Sequence, residues 1–451
     1  MNVDRAAPSG RRGDLCFTLL LSLMPVVFLA NILFTDQVLV GDNLARDYPW
    51  FAYADEELLQ RPTNGRIDPL HQFYAHRVIA ARIAEAGRLP LWNPYFLAGT
   101  PFLATESQAG LFYPLNLIYA VIDPLRGFGV SAYIHLVLAG VFMYAYLRSI
   151  GLNRLSGFVG ATSFQFSGYF LINLMWLPRV WTATWAPLLF FGLERYWREE
   201  RWGYALLMAV GMAMSLLAGM MGVVVYVAFG LLLYLIFRAW QSWDEDGWRR
   251  TARKTVIVAV GGGLGILLAS VQVVPTYEAL PYLERASLSY EETWDTGRPV
   301  AALATAVLPE SLANYWRPNL YGGILTLVLA TWAVVFDRNK QVLFFAALAV
   351  LALCLFVNVP EFLYRVLYVI PVFRFVRLVE VKVVYAFCLS VLAGWGFSSV
   401  VGEPKLATRG WMRVMSLALM VVGLVALAAS GILGLMGAGI GSVDLPSFPG
   451  V

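Results

Sequence analysis

Charge is scarce in this chain. Asp, Glu, Lys and Arg make up 14% of its 451 residues, against roughly 25% in an ordinary soluble domain. That stock is too small to clothe a soluble particle of this length. Histidine is scarcer, with three copies, and so is cysteine, also with three. Cys16, Cys354 and Cys388 all fall in apolar stretches, where they serve as small hydrophobes. Their spacing matches neither a disulfide framework nor a metal motif. The net charge of +4 follows from where topology places Lys and Arg, so no nucleic-acid partner is expected.

What is abundant is apolar surface. Hydrophobic residues reach 59%, with 15 Trp and 22 Tyr, the rings favoured at membrane interfaces. The class is an all-α polytopic membrane protein. A crossing takes about 20 apolar residues. Candidates are 15–34, 129–148, 156–175, 181–197, 203–220, 221–238, 255–274, 320–336, 341–357, 382–401 and 411–435, eleven crossings in all. The first is long enough to span, and no small-residue cleavage site follows it, so no cleavable signal peptide is expected. The stretches 111–122 and 362–373 are short and Pro-flanked, and read as interfacial or re-entrant.

The positive-inside rule orients these spans. With a cytoplasmic N-terminus, the inner loops carry Arg154, then Arg198 and Arg201, then Arg249, Arg250, Arg253 and Lys254, then Arg338 and Lys340, then Lys405 and Arg409. Three longer connections fall outside: a first outer loop over 35–128, a second over 275–319 and a third over 358–381. The reading is one transmembrane domain over 1–451 in a multi-pass plasma-membrane protein.

The first outer loop holds an unusual stretch, "RIDPLHQFYAHRVIAARIAEAG", residues 66–87. Asp68 reads as a helix N-cap, Pro69 as the first helical residue and Gly87 as the residue that ends the helix. Leu70, Phe73, Tyr74, Arg77, Ala81 and Ala84 share one face at helical spacing. Arginines that snorkel and aromatic rings that anchor would suit such a helix to the membrane surface. His71 and His76 are five residues apart and point about 140° apart on a helix, which is unsuited to a zinc pair. "GGGLG" at 261–265 lacks the Lys-Ser/Thr of a phosphate loop, and reads as close helix packing.

Several phrases resemble the YfhO family of bacterial membrane proteins. They are "WNPYFLAGTPFLA", "SQAGLFYPLN", "WLPRVWTATWAPLL", "VQVVPTYEAL" and "IPVFRFVRLVEVKVVYAFCLSVLAGWG". That family is placed among the GT-C membrane glycosyltransferases, whose long first outer loop carries a catalytic acid. "DPLHQFYAHR" is also similar, over a short stretch, to the first outer loop of oligosaccharyltransferase catalytic subunits. Members of the family are expected to extend beyond the point where this chain stops, with further spans and an outer soluble region.

The resemblance implies transfer of a sugar from a polyprenyl-phosphate donor to a cell-envelope polymer, glycolipid or protein. Such chemistry wants a carboxylate to take the acceptor proton and cations to meet the phosphate charge. Asp68 is the first candidate base, with simple capping as its plainer role. Asp42 and Asp47 are the runners-up, and a turn role suits Asp42 equally. Arg374, Arg377 and Lys382 sit together in "FRFVRLVEVK". They suit a lipid phosphate, or equally an anionic headgroup among the membrane lipids. Arg179 is a weaker site of the same kind. Glu106 is a candidate second acid at the substrate, its charge being otherwise incidental; Glu278 and Glu284 are candidates for positioning the acceptor or for a divalent metal, Mg or Mn, and read otherwise as solvated loop carboxylates. The competing functions are a lipid or glycan transporter, which would place polar residues in mid-span, and an inactive scaffold.

Overall fold

The structure, a computed structural model, describes residues 11–40, 50–60, 68–283, 289–291, 298–308, 320–337 and 339–402. Asp42, Asp47, Glu284 and the stretch 411–435 lie outside the described residues. Among those described, helix covers most of each expected apolar span, the conformation that satisfies backbone polar groups within one segment. They include no strand, and an isolated antiparallel bridge joins Asn93 and Thr100. Among the described residues, four helices are long and apolar enough to cross a membrane: Pro124–Ser149, Met221–Leu268, Lys340–Val357 and Leu378–Gly402. Trp202–Leu217 and Ile324–Phe336 are apolar but shorter.

The Met221–Leu268 element is two helices. Gly247 interrupts it at φ 71° and ψ 160°, a backbone that only glycine adopts at little cost. Beyond the break, Thr251 Oγ1 donates to the carbonyl of Ser242 at 3.4 Å. Nine residues of unbroken helix would rise about 13.5 Å, so the chain folds back at Gly247. This is the hairpin expected from two apolar runs around a basic loop. Its second arm packs through the glycine run: a Cβ on Gly261 would sit 2.9 Å from the Ala205 carbonyl, and one on Gly265 would sit 2.6 Å from that of Ala209. Gly262 and Gly263 face open space. The packing role expected of "GGGLG" therefore falls on two of its glycines.

Four stretches that read as single spans are divided, among them 255–274, which breaks at Ala269 between the helix ending at Leu268 and the helix Ser270–Ala279. Residues 15–34 become Arg11–Phe28, with Pro25 inside, and Ala30–Phe34. Residues 156–175 become Arg154–Gln165 and Gly168–Asn173, and 181–197 becomes the end of Leu177–Thr184 followed by Ala186–Glu199. Pro187 opens the last of these, where its missing N–H leaves no bond unmade. The connection read as 275–319 also starts later than position 275, since the helix Ser270–Ala279 carries Pro275 inside it.

Ion pairs sort the loops into two ends. At one end Asp14 meets Arg148 at 3.1 Å and Arg154 at 3.4 Å. Glu200 there meets Arg250 at 2.5 Å and also Arg253. Lys340 stacks over Trp240, 5.4 Å from the ring centre. All of these belong to the basic loops or the N-terminal segment. The Pro124–Ser149 helix is about 39 Å long at 1.5 Å per residue. Its first turn is at the opposite end, where Arg126 meets Asp36 at 2.5 Å. At that end Gln272 donates to the Leu103 carbonyl at 2.8 Å and Ser107 to that of Gly219 at 3.1 Å. A Cβ on Gly219 would lie 1.9 Å from the Ser107 carbonyl oxygen, so glycine alone admits this approach. The Lys382–Gly402 helix runs through the centre, against Arg154–Gln165, Ile324–Phe336 and Lys340–Val357.

Candidate functional site

The stretch after Asp68 starts as a π-helical turn, Pro69–Tyr74, and continues as the α-helix Ala75–Glu85. π-Turns inside helices are often found at functional sites. Gly87 ends the helix as expected: its amide bonds the Ala84 carbonyl, and that of Arg88 bonds the Ile83 carbonyl. Asp68 corrects one expectation. Its backbone is already helical, at φ −53° and ψ −41°, and its side chain makes no capping bond. It accepts instead from the indole N–H of Trp176, at 3.0 Å.

The inward face of this helix is also corrected. Pro69, Phe73, His76, Arg77 and Ile83 are buried, a stripe rotated by one residue from the expected one. Phe73 is 3% exposed and belongs to the protein core, so it does not anchor in the bilayer. Arg77 does not snorkel. Its guanidinium lies 5.1 Å from the ring centres of both Tyr119 and Trp181. Those faces come from distant segments, which is why local periodicity misjudged the stripe.

Trp176 joins Asp68 to the cations. The guanidinium of Arg179 lies over its ring, 5.3 Å from the centre. Arg179 also grips Glu380 with two nitrogens, Nη2 at 3.0 Å and Nε at 3.1 Å from Oε1. Asp68 is within electrostatic reach of Arg179. Glu380 is 1% exposed, and Gly222 makes room for it, since a Cβ there would stand 3.0 Å from its Cγ. Lys382 and Arg377 act electrostatically on the same carboxylate. Lys382 is buried with its ammonium 5.8 Å from the Tyr169 ring centre, and Arg377 is exposed. Three cations therefore act on one buried carboxylate, and the one bonded to it, Arg179, is also within electrostatic reach of Asp68.

The run "FRFVRLVEVK" does not act as one patch. Arg374 turns back on its own segment, donating to the Tyr368 carbonyl at 3.0 Å and covering the Tyr368 ring. Arg179, the weaker candidate in sequence, is the cation placed closest to the acid by shared contacts. Sequence pattern alone does not pair Trp176 with Asp68 or Glu380 with Arg179. A single acid inside a basic run was the available signal for Glu380.

Glu106 comes to the same helix as Asp68. It accepts from Gln72 at 3.3 Å and lies 3.7 Å from His76 Nε2. Burial pulls His76 down to about 4, aided by the charge of Arg77, so the imidazole is neutral at neutral pH and the contact is not an ion pair. Burial raises Glu106, against the lowering effect of its bond from Gln72. Glu278 is exposed on the helix Ser270–Ala279. Among the described residues, no three His, Cys, Asp or Glu side chains gather to hold a metal. Among the described residues, Asp68, Glu106 and Glu380 each face a different partner, so these three do not gather as one set of ligands for Mg or Mn.

No curated protein matches the chain. A family model described as bacterial membrane protein YfhO matches residues 111–432. The match includes Trp176, Arg179, Arg377, Glu380 and Lys382, and begins after Asp68 and Glu106. It covers well over half of the sequence, and the chain is therefore a member of the YfhO family of bacterial membrane proteins.

Proposed function

We propose that this protein is a GT-C-type inverting glycosyltransferase of the bacterial plasma membrane. It has eleven crossings and takes a sugar from a polyprenyl-phosphate donor to a cell-envelope acceptor at the outer face. The observation that carries this reading is the shared indole. Trp176 holds the Asp68 carboxylate on its N–H edge and the Arg179 guanidinium on its face, and Glu380 ties in Lys382 and Arg377. A base and a phosphate-compatible positive field therefore stand side by side.

The step is a direct displacement. An acceptor hydroxyl oxygen forms a bond to the anomeric carbon. The bond from that carbon to the lipid phosphate breaks, and the phosphate leaves with the electron pair. Asp68 takes the hydroxyl proton as the bond forms. Arg377 and Lys382 meet the charge that grows on the phosphate, while Arg179, committed to Glu380, fixes the ring that aims Asp68. Incubation of the purified protein with a panel of polyprenyl-phosphate sugars tests the reading. Acceptor-dependent release of polyprenyl phosphate is the expected result, and no release from any donor counts against it.

The orientation makes its own prediction. In a background lacking Cys16, Cys354 and Cys388, a cysteine at position 64 should react with an impermeant reagent added to intact spheroplasts. One at position 249 should react only in inverted vesicles. The reverse pattern would overturn the topology.

A further inference from the structure

Among the described residues, Arg77 is 4% exposed, yet its Nε and Nη2 donors have no hydrogen-bond partner; the hydroxyl of neighbouring Tyr119, 7% exposed, meets no partner at full hydrogen-bonding geometry and has the Ser131 hydroxyl, which accepts from Trp181, in weaker reach. We infer that Arg77 and Tyr119 form an additional phosphate-binding pair beneath the outer-face site, with their idle donors awaiting a phosphate oxygen. Among the described residues, Nδ1 of the adjacent His76 also has no partner, while several polar groups around Trp181 are paired. Trp181 donates to Ser131 at 2.8 Å, Trp185 to Tyr113 at 2.9 Å, and Tyr113 meets His135 at 2.7 Å. These partners are matched, and the guanidinium beside them is not. Glu106, which meets the same helix, accepts from Gln72 and lies beside His76. Among the described residues no carboxylate pairs with Arg77.

The two flanking rings attract the cation. They offset only part of what it costs to take a guanidinium out of water. An arginine kept there without an anion would weaken the ligand-free fold. Retention of such a residue is intelligible if a bound oxyanion completes it. Guanidinium forks suit phosphate oxygens, and a phenol O–H adds a third donor. The placement fits: Arg77 is on the helix that Asp68 begins, and Trp181 is on the helix that carries Arg179. The inference rests on this outer-face reading but not on sugar transfer itself.

Thermal unfolding of the purified full chain tests it, with inorganic phosphate and a short-chain polyprenyl phosphate as separate probes. A rise with inorganic phosphate assigns a free ion, and a rise with the lipid alone assigns a lipid-borne phosphate. Tyr119→Phe should leave the ligand-free unfolding temperature unchanged and weaken the probe at least ~10-fold, the loss of one hydrogen bond to a charged group. Arg77→Met should raise the ligand-free unfolding temperature, because an apolar side chain replaces an unpaired buried charge, and should abolish the probe's effect. The inference is overturned if neither probe shifts the wild type. It is also overturned if Arg77→Met lowers the ligand-free temperature, or if either variant keeps the wild-type response. Intact probe binding with no sugar transfer by the wild type would instead count against the reaction proposed above.

Discussion

Asp68→Asn lowers sugar transfer by ~10²–10⁴-fold, the usual worth of a general base, and leaves the fold in place. Asparagine keeps a side-chain oxygen where Trp176 donates, at 3.0 Å in the wild type. What disappears is the ability to take a proton. Because Asp68 makes no capping bond, the substitution does not disturb the start of the helix. Donor binding should be nearly unchanged, since the acid acts on the acceptor. The rate of released polyprenyl phosphate under single-turnover conditions checks this. Near-full activity in Asp68→Asn, with activity abolished in Asp42→Asn, would move the base to Asp42.

Glu380→Gln has the second large effect, and it falls on stability first. Glu380 is 1% exposed and bonded twice by Arg179. Removing one partner of a buried pair strands the other charge, at a cost of ~3–5 kcal/mol. Arg179 would then lose its hold and cease to fix Trp176, so turnover should fall as well. Adding Arg179→Gln removes the stranded charge and should restore part of the stability but none of the turnover. Thermal unfolding of the single and double variants separates these outcomes. Additive losses in the double variant would mean that the two residues do not act as a pair.

The legible parts of this protein are those fixed by local pattern. Apolar runs of spanning length, the hairpin around the basic loop at Gly247 and the helix end at Gly87 follow from spacing and turn chemistry. The basic loops also meet one another, as Glu200 with Arg250 and Lys340 with Trp240 show. What could not be read was long-range pairing. Trp176 reaches Asp68 across 108 residues, and Arg179 reaches Glu380 across 201. No periodicity encodes such partners. The burial of Arg77 was missed for the same reason: an arginine on a helix face looks solvated until Tyr119 and Trp181 close over it. The divided spans failed differently, because an apolar run reports hydrophobicity and not the breaks at Ser167 or Trp185.

The central claim is that Trp176 joins base and cations into one site, and Trp176→Phe tests it most directly. Phenylalanine keeps an aromatic face for Arg179 and removes only the N–H that aims Asp68. The measurement is the turnover number and the donor KM on a responsive polyprenyl-phosphate sugar. Loss of one hydrogen bond to a charged carboxylate predicts turnover lowered by roughly 10- to 100-fold with donor KM little changed. Wild-type turnover in Trp176→Phe, in a preparation where Asp68→Asn is inactive, would contradict the shared-indole site.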